Sequence, residues 1–245
     1  MYVSLRGGHI VFVLADLHLG FSVDKPMDVF GAVWDSHAIR IAENWTSCVS
    51  DGDTVFLPGD LSWAIDMAEA LPDFQFLHSL PGHKVLLKGN HDYWWSTVGK
   101  MSGLLKSSGV DTIRFLHNNA WPVEGKVFCG TKGYLFDDDM SKEHNERMFN
   151  RERERLALSL QAGEKLKQQA GANMETVVLM HYPPVTSTQR NEHFIRLMQL
   201  HGVQRCYFGH LHGKGRNSAV VGQYEGIELA MVSADHVGFT PVRIE

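Results

Sequence analysis

At 245 residues and 44% hydrophobic content the chain can bury a sizeable core, and its length suits a single domain over 1–245. A formal net charge of -5 with no dense basic run argues against a standing nucleic-acid polymer or anionic-membrane partner and leaves small anionic substrates open. Three scattered cysteines, Cys48, Cys129 and Cys206, with no CxxC, exclude a disulfide framework and a structural zinc site, and a reducing cytoplasm fits them best.

The first apolar run, in "HIVFVLADLHLG", is interrupted by Asp16 and His18 well short of the ~18 residues a membrane span requires, and no signal peptide is visible. It ends on Asp16. The same design recurs along the chain: "TVFLP" ends on Gly59-Asp60, "KVLLK" on Gly89-Asn90, "TVVLM" on His181 and "CYF" on Gly209-His210. Each reads as a buried strand closed by a polar group. Between the first three lie predicted helices over 36–49, over 64–79 with Pro72 bending it, and over 97–108, which together make a βαβαβ pattern.

From Asp111 to Tyr134 and again from Ala219 to Ile244 the texture changes to short strands with turn signals such as Asn118-Asn119 and Glu225-Gly226, which predicts a second, largely antiparallel portion of sheet. Between them, residues 137–171 are the most charged segment and read as a long helix or helical pair. The plain reading is a solvated outer helix with Met148, Leu156 and Leu160 inward. The sharper one is a lid over the site that uses Arg147 or Arg151.

Polar residues at successive strand ends converge along one edge of an open α/β sheet. Residues two apart on a strand project from one face, so Asp16 with His18, and His210 with His212, can each reach one point. Adding Asp60, Asn90 and His181 gives two carboxylates, four imidazoles and an amide oxygen. These are too many for one tetrahedral ion and suit two ions sharing a carboxylate. Any one of them alone would be a strand-end cap or a satisfied histidine, but all five elements in order make that reading untenable.

On these residues the chain resembles the calcineurin-like metallophosphoesterases, whose ordered signature D-x-H, GD, GNH[DE], H and GHxH appears here as Asp16-Leu17-His18, Gly59-Asp60, Gly89-Asn90-His91-Asp92, His181 and Gly209-His210-Leu211-His212. The resemblance spans Asp16 to His212. It implies an α/β (α+β) fold, a four-layer αββα sandwich with two facing mixed β-sheets flanked by helices. It also implies one ion held by Asp16, His18 and His212, a second held by Asn90, His181 and His210, Asp60 bridging them, and His91 off the metals. Many relatives carry an acid three residues after the GD aspartate, where this chain has Trp63. That change bears on the substrate pocket.

Two divalent ions would outweigh Asp16 and Asp60 and keep the site positive for a phosphoryl group. A hydroxide bridging ions ~3.5–4 Å apart is a nucleophile at neutral pH. A histidine is the natural donor to the leaving oxygen, and His91, beside Asn90, takes that role, with Asp92 expected to hold its ring and raise its pKa. Imidazole-rich N/O coordination suits manganese, iron or zinc better than calcium or magnesium.

Trp63, Trp94 and Trp95 could form a stacking wall for a ring of the substrate, although packing explains most of them, and Lys214 and Arg216 could reach a phosphate oxygen. The expected activity is therefore that of a cytoplasmic phosphatase or phosphodiesterase acting on a small, nucleotide-like phosphorylated substrate. The rivals are a non-catalytic metal-binding scaffold for a protein partner, against which intact His91 and the full ligand set argue, and a nuclease acting on polymeric DNA or RNA, which would want a basic groove.

Overall fold

The apolar runs fold as short strands buried on both faces, and the amphipathic segments between them cover those faces as helices. The computed structural model describes residues 8–171 and 173–245. The first half runs β1 (Val11–Val13), α1 (His37–Cys48), β2 (Thr54–Pro58), α2 (Leu71–Ser79), β3 (His83–Leu87), α3 (Val98–Ser107) and β4 (Ile113–Phe115). The second half runs β5 (Trp121–Val123), β6 (Lys126–Thr131), α4 (Lys142–Ala170), β7 (Glu175–Met180), α5 (Glu192–Leu200), β8 (Arg205–Phe208), β9 (Gly222–Tyr224), β10 (Ile227–Met231) and β11 (Val242–Ile244).

One sheet has the order β11-β1-β2-β3-β4 and the other β5-β6-β7-β8-β10-β9. In the first, β1 to β4 pair in parallel and β11 closes the edge antiparallel to β1. The expectation of a largely antiparallel second portion holds for the pairs β5-β6 and β9-β10 but not for the sheet they join. β6, β7, β8 and β10 are parallel neighbours, and only the edge strands β5 and β9 run against them. The reason is connection length: α4 and α5 provide helical crossovers that return the chain to the same end of the sheet. The 111–134 segment is also split, because β4 joins the first sheet.

The sheets face each other through Val13, Phe56, Val85, Phe128, Val177 and Leu179, with the rings of Phe56 and Phe128 stacked at 4.2 Å. On the outer face of the first sheet Trp45 (α1), Phe74 (α2) and Met101 (α3) pack together, and on that of the second Leu156 and Leu160 (α4) pack with Phe194 and Met198 (α5). The result is the expected αββα layering. Pro72 starts α2 instead of bending a longer helix, so residues 64–70 are free to shape a loop near the strand ends.

The charged segment is one 29-residue helix, capped by the Ser141 hydroxyl and ended by Gly171 at φ 59°. It lies close along β6, where Gly163 faces the Cys129 sulfur so tightly that a Cβ there would sit 2.7 Å from it. Among the described residues no helix is long and apolar enough to cross a membrane.

Lys84 is fully buried under α1, with Nζ donating to the carbonyls of Leu80 and Gly82, and burial pushes its pKa down to about 8 from the ordinary 10.5. Between those two values the unfolded chain holds more protons at this position than the folded one, so folding becomes more favourable as pH rises. The penalty is fully present below pH 8. The stability of wild type relative to Lys84→Met should therefore rise from pH 8 to 10.5 by roughly 3 kcal/mol at most. Chemical denaturation of both proteins across that range checks it, and a difference that does not change with pH refutes it.

Candidate metal centre

The loops after β1, β2, β3, β7 and β8 meet at one edge of the two sheets and place the motif residues together. Strand alternation is not the device that aims them. Asp16, His18, Asp60 and His210 all lie beyond their strands with φ of 63°, 46°, 52° and 74°. Such left-handed conformations cost roughly 1–3 kcal/mol each and persist where surrounding contacts enforce them. The flanking glycines are required by contact: a Cβ on Gly89 would run into the backbone nitrogen and carboxylate of Asp60, and one on Gly209 into the carboxylate of Asp16.

Two triads result, Asp16 with His18 and His212, and Asp60 with His181 and His210, each with its ligand atoms within 4.8 Å of one another. Asn90 completes the second. Its Oδ1 lies 2.6 Å from His181 Nε2 and 2.9 Å from His210 Nδ1. Asp60 Oδ2 stands between the triads, 3.8 Å from His18 Nε2 and 3.4 Å from His181 Nε2, while its Oδ1 accepts the His91 backbone N–H.

This donor set fits metal ions. His181 Nδ1 faces the Pro58 carbonyl at 3.2 Å, which takes the ring proton and leaves the Nε2 lone pair aimed at the Asn90 oxygen. Two acceptors at that separation call for a cation between them. Burial holds His18 and His181 well below the usual histidine range and His210 at about 3, so all three are neutral donors. His212 differs: with no ion present, burial opposes its charge, but hydrogen bonds and fields from Asp16 and Asp235 outweigh it and push it up to about 10, so it would have to release its Nε2 proton to join Asp16 and His18 as a ligand.

Asp235 is a site residue that motif reading missed. Its Oδ1 lies 2.8 Å from His212 Nδ1 and turns Nε2 toward Asp16. The signal was present, since Asp235 follows the apolar run of β10 just as the other site residues follow theirs. Its neighbour His236 is exposed. Buried Trp34 was missed too, with its ring 5.7 Å from that of His18 and 5.5 Å from that of His212.

Two expectations around His91 are corrected. Asp92 does not touch the His91 ring. Its buried carboxylate accepts from the backbone N–H groups of Gly89, Asp60, Leu61 and Ser62 and from the Trp94 indole, at 2.7–3.3 Å. The pKa of His91 is consequently lowered, by burial first, against the opposing field of Asp16. Its ring lies 4.5 Å from Trp63 and 5.8 Å from His18, and among the described residues its buried Nδ1 has no hydrogen-bond partner.

The aromatics divide. Trp63 stacks on His18 at 4.9 Å and carries Lys25 over its ring, so it does face the centre. Trp94 and Trp95 do not, because the bond to Asp92 pulls Trp94 inward against Phe74, and Trp95 packs on Phe115. Lys214 is exposed on a 3-10 turn over Gly213–Ser218, and Arg216 braces the Asp235 loop, donating to its backbone carbonyl at 3.2 Å.

No curated protein matches the chain significantly. Among solved structures, a protein of unknown function from Aquifex aeolicus superposes with a TM-score of 0.52 at 16% identity over 96% of both chains, which is a likeness of fold. A phosphopantetheinyl hydrolase from Mycobacterium tuberculosis follows at TM-score 0.49 and 11% identity, over 96% of this chain and 95% of that one. The family model for calcineurin-like phosphoesterases matches residues 10–214, the stretch that holds every metal-binding motif, and the chain belongs to that family.

Proposed function

We propose that the chain is a dinuclear metal-dependent phosphoesterase that hydrolyses a small, nucleotide-like phosphomonoester or phosphodiester. The observation that carries this is the pair of converging triads with Asp60 Oδ2 between them. Asp16, His18 and His212 would hold one ion, Asn90, His181 and His210 the other, and Asp60 both. A pair of divalent ions supplies Lewis acidity toward phosphoryl oxygens and activates water near neutral pH. Manganese, iron or zinc suits the imidazole-rich set.

The chain's own residues do the rest. Asp235 and the Pro58 carbonyl fix the tautomers of His212 and His181, so that Nε2 of each faces the centre. Trp63 walls one side and holds His18 and His91 in place. His91 is the proton donor to the leaving oxygen. Its ring gains a counter-charge when the anionic phosphoryl group arrives, which offsets the burial that lowers its pKa. Three free thiols support a cytoplasmic setting.

Metal analysis of the purified protein, with hydrolysis of p-nitrophenyl phosphate and bis-p-nitrophenyl phosphate under added manganese, iron or zinc, tests the reading. About two ions per chain and turnover abolished by chelation and restored by metal are expected. A protein that binds no metal and turns over neither ester would refute it.

A further inference from the structure

His18 is held differently from the other imidazoles of the centre. His181 and His212 each have their Nδ1 fixed by an acceptor, the Pro58 carbonyl for one and the Asp235 carboxylate for the other. The Nδ1 of His18 is buried and among the described residues has no hydrogen-bond partner. A ligating imidazole is ordinarily aimed by the hydrogen bond of its other ring nitrogen, so this ring needs another hold.

Its surroundings supply one. The His18 N–H donates to the Asp60 carbonyl at 3.0 Å, and the His18 carbonyl accepts from His37 Nε2 at 3.2 Å, which pins the backbone on both sides of a residue at φ 46°. The ring stacks on Trp63, and the buried Trp34 ring crosses it at 76° with centroids 5.7 Å apart, while also lying 5.5 Å from that of His212. Trp34 ends a 3-10 turn over Ala32–Trp34 that leads into α1, and its other neighbours are the rings of His37 at 5.6 Å and Phe239 at 5.2 Å.

His37, Arg40 and Asn44 lie at i, i+3 and i+7 of α1 and so share one face. Arg40 covers the Phe239 ring at 4.4 Å, and Asn44 donates to the Gly238 carbonyl at 3.0 Å. The turn over 234–239 that they grip also carries Asp235, which bonds His212. One face of α1 therefore bears on both imidazoles of the first triad, on His18 through its carbonyl and Trp34, and on His212 through Trp34 and the Asp235 turn. His181, in the second triad, is aimed from elsewhere, by the Pro58 carbonyl.

We propose that His37 is a positioning residue for the first metal site alone: with Trp34 it holds His18 in its left-handed turn, so that the affinity of the Asp16, His18 and His212 site is set from α1, separately from that of the Asn90, His181 and His210 site. The proposal rests on the two-ion part of the phosphoesterase reading and not on turnover.

Chelator-stripped protein is titrated with manganese by calorimetry, and the loaded samples are examined by electron paramagnetic resonance. Wild type is expected to take up two ions that couple magnetically, as ions ~3.5–4 Å apart do. In His37→Leu, which keeps the bulk and removes the donor, one ion should weaken by about 10–100-fold and the other by less than about threefold, and the coupled spectrum should give way to that of isolated manganese. His37→Gln, whose amide nitrogen can reach the same carbonyl, should restore both affinity and coupling. Trp34→Phe, which shrinks the ring against His18 and His212, should weaken the same ion and serves where His37→Leu does not fold. On an Asn90→Ala background, which leaves the first ion, His37→Leu should remove that one as well.

Weakening of both ions alike, of neither, or of an ion that Asn90→Ala has already removed overturns the proposal. The two readings fail separately. A two-ion wild type that hydrolyses neither p-nitrophenyl ester, while His37→Leu loses one ion, keeps the clamp and refutes the esterase. Turnover in wild type, with both ions unaffected by His37→Leu, does the reverse.

Discussion

Replacing His91 with asparagine is expected to lower turnover of an alkyl phosphate by about 10²–10⁴-fold and to leave the metal content unchanged. The position explains both halves. The His91 backbone N–H bonds Asp60 Oδ1 at 2.8 Å, a contact that asparagine keeps, while the ring, wedged against Trp63 at 4.5 Å, belongs to neither triad. Asparagine retains a polar side chain and removes the titrating proton. An ester whose leaving group is a stable anion, such as p-nitrophenolate, has less need of that proton and should lose far less. The contrast between leaving groups identifies proton donation, because a loss through misplaced metals would slow both substrates alike. Undiminished alkyl phosphate turnover would remove His91 from the role.

Asp92→Asn is expected to lower the melting temperature by roughly 10 °C and to reduce metal occupancy in both triads. The carboxylate receives Gly89 and Asp60 N–H on one oxygen and Leu61, Ser62 and the Trp94 indole on the other. An amide keeps one acceptor and turns two N–H donors toward donors, which costs about 1.5–3 kcal/mol for each charge-assisted bond lost. At about 2–4 °C per kcal/mol for a chain of this size, the shift follows. Because those N–H groups belong to the turns that present Asp60 and Asn90, the ligands move with them. Calorimetry and metal analysis on one preparation read both effects. A variant that melts within about 2 °C of wild type with full metal content would show that the carboxylate is dispensable.

The contrast between these neighbours shows where reading residues in order stops. Asn90, His91 and Asp92 are consecutive, and their residue types suggested a ligand, a donor and an orienting acid. The structure brings Asn90 to His181 and His210 and leaves His91 beside Trp63, but it assigns Asp92 to four backbone groups, three of them about thirty residues away. No local pattern announces such a partner. Trp94 follows from the same fact, since the bond from its indole draws the ring to the interior and away from any substrate.

What the sequence determined alone was the part governed by local chemistry: buried strands that end in glycine and a polar side chain, the helices between them, and a set of carboxylate, imidazole and amide groups of the kind that bind divalent metals. Those features survive translation along the chain because apolar periodicity and residue type are properties of a few adjacent positions. Only the tertiary structure decided the direction of the second sheet, the left-handed turns that aim Asp16, His18, Asp60 and His210, and the hold of Asp235 on His212. Each of these depends on contacts between distant segments, whose energies arise only when the two sheets close on one another.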